Sequence, residues 1–184
     1  MVKHGPEAIA RLVTIGVPFA TDETGTLSLT QEGGHTKRRI AFVGDYTGQE
    51  IEKALVKKVS ENKNITVWEH TFAVDILTKN NRCYGIEGIQ EGKIIHVFAP
   101  NTVLATGGIG QIYKYTTNPE ISTGDGIGMG LRAGLKTRDL EFIQFHPTAL
   151  KVHGRTKFLL SEALRGEGAK LTDSHNKSIM AGAH

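Results

Sequence analysis

The sequence predicts an α/β fold, on three observations. Residues 47–60 repeat apolar side chains at helical spacing and place charged side chains between them. Residues 72–98 hold three short runs of β-branched and aromatic residues separated by turn residues, which is typical of an antiparallel β-meander. Residues 102–108 form an apolar run that ends in two glycines, as a buried strand of a parallel sheet does. At 184 residues, the chain is long enough for one domain with a core.

The first third of the chain predicts two helices joined by a polar loop. Pro6 to Val17 has helical apolar spacing and is closed by Gly16 and Pro18. From Phe19 to Arg39 the composition turns polar and glycine-rich, so we expect a loop with at most short strands. Thr47 to Ser60 is the second helix.

The rest of the chain predicts further strands and helices. Before the meander, Ile65 to Trp68 reads as a short strand, and the meander strands are separated by turns at Asn80–Asn81 and Glu91–Gly92. The remaining predictions are a strand over 102–105, a helix over 124–134, a strand leading into a loop over 140–150, and a short helix over 158–165.

Composition and charge narrow the function classes. The net charge is +3, and the basic clusters at 37–39 and 57–58 are short and lie among acidic residues. That pattern favours neither nucleic acid nor a membrane as a partner. No apolar run has the length of a membrane span, and the amino terminus lacks the apolar core of a signal peptide. Cys83 is the single cysteine, which excludes an internal disulfide and a cysteine-rich zinc site, so we expect no metal and a cytoplasmic location.

Two glycine-rich motifs suit an anionic cofactor. The strand ending at Ala105 to Gly108 lets backbone approach a pyrophosphate or a ribityl chain, although Tyr113 breaks the G-x-G-x-x-G pattern and a tight turn explains the motif equally well. Thr123 to Gly126 opens a helix whose first N–H groups are free to bind an anion. There Asp125 either binds a cofactor hydroxyl or caps the helix.

Three polar motifs suit a carboxylate substrate. His146 is held on a rigid segment by Pro147 and can grip a carboxylate or transfer a proton, but a lone histidine is more often an ordinary structural group. On a helix, Glu162 and Arg165 share one face and can bind a carboxylate or pass a proton, with an ordinary surface pair as the alternative. The third motif is residues 32–35, in which a glutamate and a histidine bracket two glycines; a mobile polar loop is its plain alternative.

Taken in order, these motifs resemble the flavoprotein family of succinate dehydrogenase, fumarate reductase and L-aspartate oxidase. The resemblance runs over nearly the whole chain and rests on residues 105–108, 115–119, 123–126, 132–134, 141–148 and 162–168. Within the family, Tyr115 to Pro119 and the Glu-Gly-Gly-His at residues 32–35 resemble the L-aspartate oxidase branch. A carboxylate at Glu32 suits aspartate, whose ammonium group succinate lacks.

The resemblance implies non-covalent FAD and a dicarboxylate such as L-aspartate or fumarate. Aspartate is expected to lose a hydride to the flavin and yield iminoaspartate for NAD biosynthesis, with oxygen or fumarate as acceptor and quinolinate synthase as a pathway partner. The implied catalytic residues are His146, Glu162 and Arg165. The implied substrate-binding residues are Glu32, Thr148 and Ser161. The implied cofactor-binding residues are Phe72, Ala73, Thr106, Gly107, Gly108 and Asp125.

The resemblance also implies a domain arrangement. Residues 1–139 are expected to form part of a Rossmann-like FAD-binding domain with the inserted antiparallel β-meander, and residues 140–184 the start of an α+β capping domain. The family's G-x-G-x-x-G turn and its main catalytic arginine are expected outside residues 1–184. We therefore expect this internal segment alone to bind FAD poorly, to be inactive and to leave apolar edges open.

Two alternatives remain at this stage. One is a fumarate reductase or succinate dehydrogenase flavoprotein subunit, which differs in substrate but not in cofactor. The other is a non-catalytic interaction module, in which the glycine turns serve packing only. A yellow colour of the purified protein separates the second from the flavoenzymes.

Overall fold

The computed structural model describes residues 2–152, 155–179 and 181, and it confirms the mixed α/β class with an antiparallel meander. The chain divides into two compact units, Met1–Val67 with Leu160–His184 and Trp68–Leu159. The first contains α1 (Gly5–Ile15), β1 (Leu29–Thr30), β2 (Ile40–Ala41), α2 (Thr47–Glu61) and α4 (Glu162–Gly166). The second contains β3 (Thr71–Lys79), β4 (Arg82–Gln90), β5 (Lys93–Phe98), α3 (Asp125–Arg132), β6 (Ala149–Val152) and β7 (Arg155–Leu159).

In the first unit, both predicted helices are confirmed. Helix α1 ends at Gly16, which takes the left-handed conformation (φ 106°) that a glycine adopts without strain. The N–H groups of Gly16 and Val17 then return to the carbonyls of Val13 and Leu12, which satisfies the helix end. This turn buries Val17, and α1 lies beside α2. The segment between the helices is loop with the two-residue strands β1 and β2, as predicted.

In the second unit, the meander forms a sheet in the order β3-β4-β5, with both pairings antiparallel. Asn80 and Asn81 both have positive φ, and so do Glu91 and Gly92, which is the geometry that two-residue hairpin turns require. Both predicted turns are therefore confirmed. Helix α3, which matches the predicted glycine-rich helix, packs on β3 and buries Met129.

Four strand and helix predictions fail wholly or in part. Residues 65–68 and 102–105 form no strand, because β-branched composition makes a strand only where a neighbour supplies ladder hydrogen bonds, and no described segment does so. Residues 140–150 reverse the predicted order, with turn and loop first and β6 beginning only at Ala149. The helix predicted over 158–165 begins at Glu162, since residues up to Leu159 pair with β6 as β7.

Candidate functional site

Helix α4 holds the acid and the guanidinium that the sequence predicts on one face. Ser161 is the cap residue before the helix, and its Oγ accepts a hydrogen bond of 3.2 Å from the N–H of Ala163. Three residues apart, Arg165 Nη2 lies 3.0 Å from Glu162 Oε1, and the two side chains are 26% and 29% exposed. The pair is thus more enclosed than an ordinary surface ion pair, and Ser161 has a capping role in addition to its predicted contact with substrate.

The guanidinium of Arg165 has one unsatisfied donor. Its Nε is buried and has no hydrogen-bond partner among the described residues. Buried donors in folded proteins nearly always have an acceptor, because an unmet one loses the hydrogen bonds that water provides. A carboxylate ligand matches the charge of this guanidinium, and it can reach the exposed part of the side chain but not the buried Nε.

The Glu32–His35 segment packs against α4 instead of extending into solvent. The N–H of Gly33 donates a 3.1 Å hydrogen bond to the carbonyl of Glu162. A Cβ added at Gly33 would lie 3.4 Å from Arg165 Cβ and 3.5 Å from Arg165 Cζ, so the absence of a side chain lets this backbone approach the arginine. The structure therefore brings Glu32, Glu162 and Arg165 into one neighbourhood.

Glu32 and His35 are also tied to each other. The N–H of His35 donates to the Glu32 carbonyl over 3.0 Å, and the N–H of Glu32 lies 3.3 Å from His35 Nδ1. Because Nδ1 accepts in this arrangement, the neutral ring carries its proton on Nε2. This turn fixes the backbone from which the half-buried Glu32 carboxylate projects.

In the second unit, His146 is oriented by Thr148. His146 Nδ1 lies 3.0 Å from the carbonyl oxygen of Thr148 and 3.2 Å from its amide nitrogen. The neutral ring accepts from the amide at this nitrogen, whereas a ring protonated there donates to the carbonyl. Nδ1 thus has a partner within reach both as an acceptor and as a donor, which suits a residue that grips a carboxylate or transfers a proton. Thr148 itself is buried.

On the predicted cofactor side, Thr106 packs on the amino-terminal turn of α3. Gly126 is buried there, and a Cβ added to it would overlap Thr106 Oγ1 and lie 2.9 Å from Thr106 Cβ. By contrast, no described atom lies within 4 Å of a Cβ placed on Gly107 or Gly108. The loop thus contacts α3 at the threonine and is open at the two glycines, of which Gly107 has φ +75°.

The capping alternative for Asp125 is wrong. Gly124 occupies the cap position with φ 81°, and no side chain caps the helix. The Asp125 carboxylate accepts a 2.8 Å hydrogen bond from the Thr123 hydroxyl and remains exposed. The first intrahelical bond runs from Gly128 to Gly124, so the N–H groups before Gly128 point out of the helix end.

These residues fit a flavin dinucleotide. An open glycine turn and free helical N–H groups suit a pyrophosphate, and an exposed carboxylate suits a ribityl or ribose hydroxyl. The fit rests on the contact between Thr106 and Gly126, which keeps the glycine turn and the α3 amino terminus adjacent.

Phe72 and Ala73 lie on β3 where its register slips. The pairing with β4 shifts between Ala73 and Asp75, which is a β-bulge. Arg132 of α3 donates to the carbonyl of Val74 over 2.7 Å and to Asp75 Oδ2 over 3.0 Å. The hydrogen bond from Arg132 holds the pKa of the Asp75 carboxyl below its usual value of 3.8. These contacts lock the predicted adenosine-binding segment to the helix that carries Asp125.

Sequence reasoning missed the residues that support the site. Gln31, Arg38 and Glu167 join the loop to α4, and Asp75 joins β3 to α3. The partners lie far apart in sequence, so no local spacing signals them. A composition signal existed only for Arg38, which belongs to a basic cluster at residues 37–39.

Comparison with known proteins places these features in one family. The model of the FAD binding domain family matches residues 1–184. An L-aspartate oxidase from Ralstonia nicotianae is 46% identical over 93% of this chain and 34% of its own length, and one from Streptomyces coelicolor is 46% identical over 100% and 33%. The chain therefore spans about a third of the length of the curated relatives it matches.

Solved structures of fumarate reductase and Sdh1 are also similar to this chain. An Escherichia coli quinol fumarate reductase with a substitution in FrdA superposes with a TM-score of 0.89 at 33% identity, over 95% of this chain and 30% of the other. Mycobacterium smegmatis Sdh1 in complex with UQ1 gives 0.75 at 33% identity, over 97% and 32%. Across the described residues, no helix combines the length and apolar character that a membrane span requires. Since the family model covers it from end to end, the chain belongs to the FAD binding domain family of flavoproteins.

Proposed function

We propose that this chain is part of an FAD-dependent L-aspartate oxidase that converts L-aspartate to iminoaspartate. The observation that carries the proposal is the partly enclosed ion pair of Glu162 and Arg165 beside the Glu32–Gly33 backbone. A dicarboxylate matches the charge of the exposed part of the Arg165 guanidinium, and Glu32 supplies a partner for an ammonium group. Relatives named L-aspartate oxidase support the same substrate.

The cofactor is assigned to the second unit. Thr106, Gly107 and Gly108 provide a backbone surface without side-chain obstruction, and Asp125 provides a hydroxyl acceptor. Phe72 and Ala73 are proposed to contact the adenosine part through backbone atoms. FAD supplies the oxidising power when bound, by accepting a hydride from the substrate Cα.

The substrate contacts are proposed for individual side chains. Arg165 donates to a carboxylate, and Glu162 orients its guanidinium and accepts a proton released from the substrate nitrogen. His146, fixed through Nδ1 by Thr148, grips a carboxylate. Ser161 offers its hydroxyl to the same ligand while its lone pair caps α4.

The cellular setting is proposed on the same basis. Iminoaspartate production belongs to NAD biosynthesis, so quinolinate synthase is the proposed pathway partner and the cytoplasm the proposed location. Oxygen or fumarate is the proposed acceptor. Residues 1–139 are assigned to the flavin domain and residues 140–184 to the start of the capping domain.

A fumarate reductase or succinate dehydrogenase flavoprotein is the second candidate, since fumarate reductases are among the structural neighbours. Changing Glu32→Gln in the full-length protein separates the two. Losing a charge-assisted contact costs about 1.5–3 kcal/mol, so kcat/KM for aspartate should fall roughly 10- to 100-fold while turnover of succinate stays near its starting value.

The matched control is Glu23→Gln, which makes the same chemical change at an exposed position of the same unit. It should leave aspartate turnover unaltered. Equal loss with both dicarboxylates in the Glu32→Gln protein would remove the ammonium argument. A colourless full-length protein would instead support a non-catalytic interaction module.

A further inference from the structure

Helix α4 is too short to hold its own direction. It has five residues, and a helix of that length is not stable without contacts from elsewhere in the chain. Whatever packs against it therefore sets where the Glu162–Arg165 pair points. The contacts come from the segment that begins at Gln31.

Three described contacts join this segment to α4. Gln31 Nε2 donates a 2.9 Å hydrogen bond to the carbonyl of Gly166, and Arg38 Nη2 lies 2.7 Å from one Glu167 carboxylate oxygen and 3.0 Å from the other. Between them, Gly33 donates to the Glu162 carbonyl. The contacts extend from Gln31 at the start of the segment to Arg38 at its end, so they fix its position along α4.

Two glycines make the fit close. A Cβ on Gly166 would lie 2.5 Å from the Gln31 carbonyl oxygen, and one on Gly33 would contact Arg165. The backbone at Gly166 therefore lies against the backbone at Gln31, and the backbone at Gly33 lies against the Arg165 side chain. These close contacts leave little room for residues 31–38 to slide along α4. A change at Gln31 or Arg38 is therefore expected to alter the position of Glu162 and Arg165.

We propose that Gln31 and Arg38 are positioning residues, which clasp residues 31–38 to α4 and thereby fix the direction of Arg165 and Glu162 toward a dicarboxylate. The inference rests on the proposed function only in taking this pair to face a dicarboxylate. Neither residue needs to touch the ligand. Their loss weakens ligand binding because the guanidinium points elsewhere.

A charge exchange in the full-length flavoprotein tests the clasp, with fumarate as the probe and the change in visible flavin absorbance as the binding signal. Arg38→Glu and Glu167→Arg each place like charges together, so each should raise the Kd for fumarate about fivefold or more, in line with the upper range for exposed pairs. The double variant restores an opposite pair and should return the Kd to within about twofold of the starting protein. A loss that does not depend on the contact between residues 38 and 167 would not be repaired by the exchange.

Lys37→Glu is the matched control, because it makes the same charge reversal at the adjacent exposed position. It should leave the Kd unchanged. Gln31→Leu, which removes the donor to Gly166, should raise the Kd without lowering flavin content. If Arg38→Glu loses its flavin, the double variant decides: recovery supports the clasp, and continued loss overturns it.

Two negative results have different meanings. Unchanged fumarate affinity in Arg38→Glu and Gln31→Leu overturns the clasp, whatever the physiological substrate. Fumarate binding without aspartate oxidation in the unaltered protein overturns the proposed function and leaves the clasp measurable.

Discussion

Gly126 joins the glycine loop to α3, and replacing it with alanine tests whether this contact keeps the cofactor surface in place. The added carbon would overlap Thr106 Oγ1, and Thr106 Cβ stands at 2.9 Å, whereas ordinary contact begins at 3.4 Å. Rotation of the Thr106 side chain about its Cα–Cβ bond moves Oγ1 away and relieves the first overlap. The second requires the threonine backbone to retreat by about half an ångström, on the spacing of ordinary contacts in close-packed interiors.

Two opposing terms set the size of the effect. Alanine in place of glycine favours a helix by about 1 kcal/mol, and overpacking costs about 1–3 kcal/mol. Gly128→Ala gains the first term almost alone, because the nearest atom to the added carbon, Arg132 Nη1, lies at 3.4 Å, where ordinary contact begins. We therefore expect Gly126→Ala to be about 1–3 kcal/mol less stable than Gly128→Ala.

The assay is thermal unfolding of the full-length flavoprotein followed by flavin release, together with FAD affinity. Gly128→Ala should unfold at or above the temperature of the unaltered protein, and Gly126→Ala below it. A displaced glycine turn should also weaken FAD binding by up to about tenfold, which corresponds to the loss of one backbone hydrogen bond worth up to about 1.5 kcal/mol. Adding Thr106→Ala, which deletes Oγ1 and Cγ2, should recover part of both losses. If Gly126→Ala matches Gly128→Ala in both measurements, the contact does not position the cofactor surface.

Three further predictions concern single groups. The depressed pKa of Asp75 stabilises the fold above pH 3.8, and this contribution disappears as the pH falls through the lower folded-state pKa. In Asp75→Asn, and likewise in Arg132→Ala, the free energy of unfolding should therefore depend less on pH in that range. Gly85→Ala should destabilise the meander by about 2 kcal/mol or more, seen in denaturant unfolding, because φ is +142° and the new carbon would overlap the Val97 carbonyl. Ser161→Ala should speed amide exchange in α4 by removing a cap worth about 1 kcal/mol, whereas Ser161→Thr should not.

Local signals were enough to predict much of the fold. The Asn80–Asn81 turn and the glycine after α1 carry their conformational preference in the residues themselves, so both were correct. Residues 65–68 and 102–105 have equally good strand composition, but a strand needs a partner and the sequence does not reveal where one lies. The correct predictions thus depend on the conformational preference of local residues, and the wrong strands depend on a pairing partner that the sequence does not reveal.

In the candidate site, too, a contact set by local spacing was predicted, and a contact between distant residues was not. The spacing of Glu162 and Arg165 predicted their ion pair, because three residues on a helix fix their proximity. The contact of Gln31 with Gly166 spans 135 residues, and no motif encodes it. For Asp125 the sequence allowed either a helix cap or a cofactor contact, and the cap alternative is wrong because Gly124, with φ 81°, occupies the cap position.

Anaerobic addition of L-aspartate to the flavin-loaded, full-length protein tests the proposed oxidase most directly. Loss of the visible flavin absorbance on adding L-aspartate, with none on adding D-aspartate and much less on adding succinate, is the predicted result. Bleaching by succinate but not by L-aspartate would contradict the proposed substrate and identify the protein as a dicarboxylate dehydrogenase.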